Sequence, residues 1–156
     1  MTGHDVHVVR NEGSIDLVTV VVSLVPAGFD RRIDADATVA GMERAFERVT
    51  EHWSPKVIGR VNDQYLKVAK VQGEFVWHQH DDEDELFLVV CGSFRVEFRD
   101  RVVALSAGEF VIVPRGIEHR TVADDEVHVL IFEPAATRNT GNVEHATLTA
   151  PIGDRV

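Results

Sequence analysis

The chain has 156 residues, enough for one domain around one hydrophobic core, and with 44% apolar and 27% charged residues it has a globular rather than a disordered composition. Its formal net charge of −10 argues against nucleic acid or an anionic membrane surface as partner, since both are held by clustered Lys and Arg. The single cysteine, Cys91, allows no intrachain disulfide, in keeping with a reducing compartment.

Residues 1 to 14 are polar and read as a loose terminus. LVTVVVSLV, residues 17 to 25, is rich in β-branched residues and predicts a strand. The apolar run around it contains Asp16 and falls well short of the roughly 18 residues a membrane-spanning helix needs. It has neither the basic flank nor the small-residue cleavage site of a signal peptide, so the expected location is cytoplasmic. VPAGFDRRIDAD reads as loop. Val39, Met42, Phe46, Val49 and Trp53 then recur at spacings of three or four, which predicts one amphipathic helix over 38–53. Asp36 or Thr38 is placed to cap it, and Pro55 to stop it.

From residue 56 the pattern changes to short strands with frequent turn signals. VIGRV and QYLKVAKV flank Asn62-Asp63. EFVWHQH follows Gly73, and LFLVV ends at Cys91-Gly92. FRVEF turns at Arg99-Asp100, RVVAL at Ser106-Ala107-Gly108, and EFVIV meets Pro114-Arg115-Gly116. HRTVA turns at Asp124-Asp125, and VHVLIF closes the set. About eight short strands without an intervening helix predict an all-β antiparallel sandwich or barrel. The division expected is an N-terminal extension of strand plus helix (1–55), a barrel (56–133) and an extended C-terminal arm (134–156).

The chemistry-bearing stretch is WHQHDDEDELFLVV. On a strand His78 and His80 share one face, about 7 Å apart, and an antiparallel return brings Glu85 beside them. His119 follows the turn PRGIEH on a later strand. By itself His-x-His reads as readily as part of a solvated acidic hairpin tip. With Glu85 and His119 it becomes three imidazoles and a carboxylate, a borderline set suited to Fe, Mn, Ni, Zn or Cu rather than Ca or Mg.

The spacing Gly73-x4-His78-x-His80-x4-Glu85-x6-Gly92 resembles the first motif of the cupins. Gly108-x5-Pro114-x-Gly116-x2-His119 resembles the second, with fifteen residues between Gly92 and Gly108 as in compact bacterial cupins. The chain is similar to small cupins described as mannose-6-phosphate-isomerase-like. The resemblance implies an RmlC-like double-stranded β-helix, that is, a jelly-roll barrel carrying an N-terminal strand and helix extension. It also implies a divalent transition metal held by His78, His80, Glu85 and His119, with an open coordination position for a small-molecule ligand. In two places the chain departs from the pattern: the first glycine lies one residue closer to His78, and Ala123 stands where the second motif often has Asn.

Parity along the strands predicts that Phe87, Val89 and Val76 line the cavity, and that Phe75, Trp77 and Gln79 face away. His128 alternates with Leu130 and Phe132 and is expected to point into the barrel as a core histidine. Cys91 is expected buried and inert. His4, His7, His52 and His145 read as surface residues. Arg115 is placed to meet an anion at the mouth or to stay on the surface, whereas Asp81 to Asp84 would disfavour a strongly anionic substrate. Two functions remain open: a metal-dependent isomerase, lyase or dioxygenase acting on a small organic molecule, and a non-catalytic binding module. With Glu85 committed to the metal, the spacing places no other carboxylate as a general base, and no helix-turn-helix supports direct DNA binding. A homodimer is expected.

Overall fold

The computed structural model describes residues 5–10, 18–23 and 42–156. The chain divides into two compact units, Met1–Val39 and Ala40–Val156. In the first, β1 (Asp5–Arg10) pairs antiparallel with β2 (Val18–Ser23), Asp5 opposite Ser23 and Arg10 opposite Val18. The strand expected from LVTVVVSLV is β2. Its partner comes from residues expected to be loose, where DVHVVR has the β-branched content a strand favours. The loop after β2 and the cap of the expected helix lie outside the described residues.

In the second unit the helix ends well before its periodicity implies. Helix α1 covers Met42–Glu47, with Ala45 and Phe46 buried and Met42 exposed. The Arg48 and Val49 amides donate to Ala45 and Phe46 at 3.1 and 3.0 Å, the tight three-residue spacing that ends a helix. So short a helix has little stability of its own, so packing sets its extent. Phe46 and Val49 pack with Val68 on the outer face of the sheet, whereas Trp53 leaves that stripe and packs against the barrel core. At Trp53 the backbone is left-handed (φ 61°), with its amide and indole N–H donating to the Lys70 and Gln72 carbonyls.

Seven strands follow: β3 (Lys56–Val61), β4 (Gln64–Glu74), β5 (Glu85–Cys91), β6 (Ser93–Phe98), β7 (Val102–Ser106), β8 (Phe110–Val113) and β9 (His119–Pro134). All pairings are antiparallel. The order is β3-β4-β9-β5-β8, and β6 joins β7 to β9. This is the jelly roll expected. Its inner rows are Phe87 and Val89 of β5, Phe94, Val96 and Phe98 of β6, Ala69 and Val71 of β4, and Val127, Val129 and Ile131 of β9, all buried. Gly92, between β5 and β6, has φ +88°, and a Cβ there would lie 3.1 Å from Val127. The turn therefore needs glycine.

Several expectations need correction. HRTVA and VHVLIF form one strand, β9. In place of a turn at Asp124-Asp125 there is a register shift against β4, where Val71 and Gly73 pair with Val127 and Ala123. The exposed acids Asp124 to Glu126 are accommodated within the strand, and Arg95 holds Asp124 at 2.8 Å. Beyond the Gly73 irregularity EFVWHQH is not a regular strand; only His78 makes a bridge, to His119. On β9 the buried parity is odd, so His128 lies on the outer face and stacks on Phe46, ring centroids 4.5 Å apart. Cys91, past a second register shift on β5, is exposed. The C-terminal residues form no extended arm: they are rich in turns and are bound to the barrel by Ala135 to Asp63, Asn142 to Gln79 and Asp154 to Val57 backbone bonds.

Candidate metal centre

His78 and His80 lie on the segment between β4 and β5, Glu85 begins β5, and His119 begins β9. They come together because Glu85 pairs with Val113 at the end of β8, and the turn that follows β8 leads to His119, which bridges His78. His78 and His119 exchange backbone hydrogen bonds of 3.0 and 2.9 Å, which fixes the ligand segment against β9. The Gly116 amide of the PRG turn donates to the His80 carbonyl at 2.6 Å, locking the second motif onto the first. All four side chains are buried, and one ligand atom from each lies within 4.8 Å of the others.

The rings have defined roles. His78 Nδ1 lies 3.0 Å from the Val76 carbonyl and His119 Nδ1 3.0 Å from the Ile117 carbonyl. A carbonyl only accepts, so Nδ1 carries the proton and Nε2 presents its lone pair to the centre. His119 thus takes its orientation from a carbonyl two residues back, and Ala123, fully buried in the core, has no part in it. Glu85 Oε2 is 3.2 Å from His80 Nε2 and 3.5 Å from His119 Nε2. These three atoms are buried without a hydrogen-bond partner. Each buried polar atom left unpaired costs about 1–3 kcal/mol, and a single cation between them would satisfy all three.

Electrostatics favour the same arrangement. Burial, aided by neighbouring His119, pushes His78 down to about 4, so its ring is neutral. For His80 burial also works against charge, but the adjoining Glu85 carboxylate outweighs it and raises the pKa. Burial alone would raise Glu85, yet the His119 and His80 side chains hold it below the usual carboxylate range. The centre is an anionic carboxylate among imidazoles, a set that can hold a divalent metal ion.

Beside it lies a cavity of about 30 Å³, lined by His78 and Glu85 together with Phe75, Phe87, Phe94, Ile131, Trp53 and Asn139 among others. Phe87 lines it as expected. Val89 is buried in the core but is not part of the lining, and neither is Val76. Phe75, expected to face away, points inward and meets the His78 ring edge-on at 5.3 Å, because regular alternation stops at Gly73. Trp77 does face away, beneath the Arg99 guanidinium at 3.9 Å. Arg115 is exposed and bound to Asp84, its Nε 3.3 Å and its amide 2.9 Å from Oδ1.

Some residues were not singled out by sequence reasoning. Lys67 and Glu133 form a buried pair at 2.6 Å. They continue the inward rows of Ala69 and Val71 on β4 and of Val129 and Ile131 on β9, a parity signal already present in the sequence. Asn139 comes from the turn-rich tail, where no periodicity marks it. Outside the centre, Glu126 bridges His52 and His128 at 2.9 and 3.1 Å on the barrel exterior.

Comparison with known proteins places these features among relatives. The cupin domain family model matches residues 65–133. YdbB of Bacillus subtilis (strain 168) is 42% identical over 65 residues; the match covers 41% of this chain, which spans 58% of that protein's length. The crystal structure of a cupin-2 domain containing protein from Shewanella frigidimarina is similar at 44% identity and a TM-score of 0.61, covering 62% of this chain and 94% of that one. Protein NMB1881 from Neisseria meningitidis, at 23% identity and a TM-score of 0.58, shares the fold over 62% of this chain and 99% of its own.

Proposed function

The chain belongs to the cupin family, and from that premise we propose that it is a metal-binding cupin that acts on a small organic molecule. His78, His80, Glu85 and His119 are the proposed ligands. The observation that carries this reading is the trio of buried, unpartnered atoms, His80 Nε2, His119 Nε2 and Glu85 Oε2, gathered within ligand distance of His78. A divalent transition metal there (Fe, Mn, Ni, Zn or Cu by donor type) would supply Lewis acidity toward a carbonyl or hydroxyl oxygen.

The chain's own residues supply the rest. Glu85 lowers the charge of the centre, and the Val76 and Ile117 carbonyls hold two imidazoles with lone pairs inward. Phe75, Phe87 and Ile131 exclude water and offer an apolar wall to the hydrocarbon part of a ligand. Isomerase, lyase or dioxygenase chemistry is the proposed range. Among the described residues that line the cavity, the only carboxylate is Glu85. That observation favours the second reading: a non-catalytic module that binds a small molecule or metal. Conversion of a candidate substrate by the metal-loaded protein, lost with Glu85→Gln, supports the enzyme. Ligand binding without conversion supports the module.

A homodimer is part of the proposal. Across β8, β5, β9 and β4 an apolar row runs along the outer face, Ile112, Leu86, Phe132 and Leu66, with Phe110 and Leu88 beside it, whereas Leu130 and Val68 further along are covered by Phe46 of α1 and by Val49 just after it. Phe110 and Ile112 are 60% and 53% exposed. On a chain of net charge −10, an uncharged face is where a second copy meets least repulsion.

A further inference from the structure

The segment that carries His78 and His80 has a strand partner on one side only. His78 exchanges two backbone bonds with His119, and the His80 carbonyl accepts from Gly116. In an extended chain the residue between them turns its N–H and C=O the other way. That residue is Gln79, and among the described residues no strand lies there to receive it. The C-terminal segment does: the Asn142 amide donates to the Gln79 carbonyl at 2.9 Å, and the Gln79 amide donates to Asn142 Oδ1 at 3.0 Å. One residue of the tail thus imitates a β-ladder partner, using its amide for one bond and its side chain for the other.

The preceding residue allows this approach. Gly141 has φ +51°, and a Cβ on it would fall 2.1 Å from the Gln79 carbonyl oxygen and 3.3 Å from His78 Cδ2, beside the nitrogen that faces the centre. Glycine is required on both counts. The turn around it is tied internally. The Gly141 amide donates to the Arg138 carbonyl at 2.8 Å, and Arg138 Nε donates back to the Gly141 carbonyl at 2.8 Å. Behind it Thr140, fully buried, shares a hydroxyl bond with Thr149 at 2.9 Å.

We propose that residues 138–142 are a positioning device for the metal centre, with Gly141 and Asn142 holding the His78–His80 segment at coordinating geometry. The inference rests on the metal-binding reading above. Metal affinity in this chain therefore depends on a segment that follows the barrel and contributes no ligand. Without the Asn142 side chain the Gln79 N–H is unpaired while its carbonyl keeps the Asn142 amide, and the two histidines lose half of one of the two clamps that set their separation and tilt. Partners that orient metal ligands are typically worth about 10- to 100-fold in metal affinity.

The test uses the full-length protein, stripped of metal and titrated with Co(II), read by visible d–d absorption, beside the melting temperature of the metal-free form. Wild type is compared with Asn142→Ala, Asn142→Asp and Gly141→Ala. Asn142→Ala is expected to weaken Co(II) binding by about tenfold or more and to alter the d–d bands, with a metal-free melting temperature close to wild type. Asn142→Asp keeps the acceptor oxygen and restores most of the affinity and the wild-type spectrum. Gly141→Ala, which displaces Gln79 and His78 directly, loses more than Asn142→Ala. Wild-type affinity and spectrum in Asn142→Ala overturn the inference and leave the metal reading standing. So does a loss that tracks an equal fall in metal-free stability with no rescue by Asp. Failure of the wild-type protein to take up Co(II) instead removes the metal reading, and this inference with it.

Discussion

Glu85 is the pivot at the scale of single residues. Its carboxylate, kept ionised in a buried site by two imidazoles, also makes His80 harder to deprotonate. Metal binding needs His80 neutral. Since its pKa is raised, the protonated form extends above the ordinary value of 6.5, and metal release on acidification begins at a pH higher than a free histidine would give. His78, pushed down to about 4, stays neutral and does not compete until near that pH. NMR titration of the imidazole nitrogens in metal-free protein is expected to show the two rings on opposite sides of 6.5. Glu85→Gln removes the cause, so His80 is expected to titrate lower in that variant. A second residue-scale expectation concerns the wall. Phe87→Ala should cost about 3–5 kcal/mol in denaturant unfolding, since it removes a buried aromatic ring beside an existing cavity. The four candidate ligands were anticipated from two motif spacings that resemble those of the cupins; the hairpin expected between the histidine segment and β5 does not form, because that segment bridges His119 while β5 pairs with β8 and β9. Phe75 was not, because strand parity carries information only while the strand is regular, and the irregularity at Gly73 resets it.

Among the elements, β9 carries most of the architecture. It pairs with β4 over most of its length, with β5 through its second half and with β6 through its first, beginning at His119 and ending just past Glu133. The acids at 124 and 125 looked like a turn because local composition favours one. Pairing on both sides of them, with the compensating shift in β4, decides otherwise. The helix was over-read for a similar reason: a 3.6-residue period continued past Glu47, but the chain needed Trp53 in the barrel. The Lys67–Glu133 pair links β4 to β9 at the inner end of their rows. Lys67→Met or Glu133→Gln alone leaves one buried group uncompensated and should destabilise the metal-free protein by about 3–5 kcal/mol. Changing both residues together should cost less than the sum of the two single changes, which equilibrium unfolding of the double variant measures; burial and the Glu85 carboxylate push Glu133 up to about 8, so the pair is fully ionised only above that pH. The tail was least legible of all. Its contribution comes from backbone groups, one glycine and one Asn side chain, and such contacts leave no periodic mark.

For the whole molecule, the all-β barrel was readable because alternation and turn residues recur over some eighty positions, and each constrains the next. The grouping of α1 with the barrel rather than with β1 and β2 was not, since no composition change marks residue 40. No helix among the described residues is long and apolar enough to cross a membrane. If the uncharged face of β8 and β5 joins two copies, light scattering on the eluting protein gives twice the chain mass of 17.4 kDa, and Phe110→Asp with Ile112→Asp returns it to one. A wild-type monomer would remove the dimer from the proposal without touching the metal centre.

The central claim is that one cation is bound by the four converging side chains, and elemental analysis tests it most directly. Full-length protein is purified without chelator and without a nickel-affinity step, then compared with His119→Ala and Glu85→Gln. The expected result is about one equivalent of a single transition metal per chain in the wild type, near none in His119→Ala, and a marked loss in Glu85→Gln. A metal-free wild type that takes up none of Fe, Mn, Ni, Zn or Cu when offered each, or equal metal content in all three proteins, contradicts it.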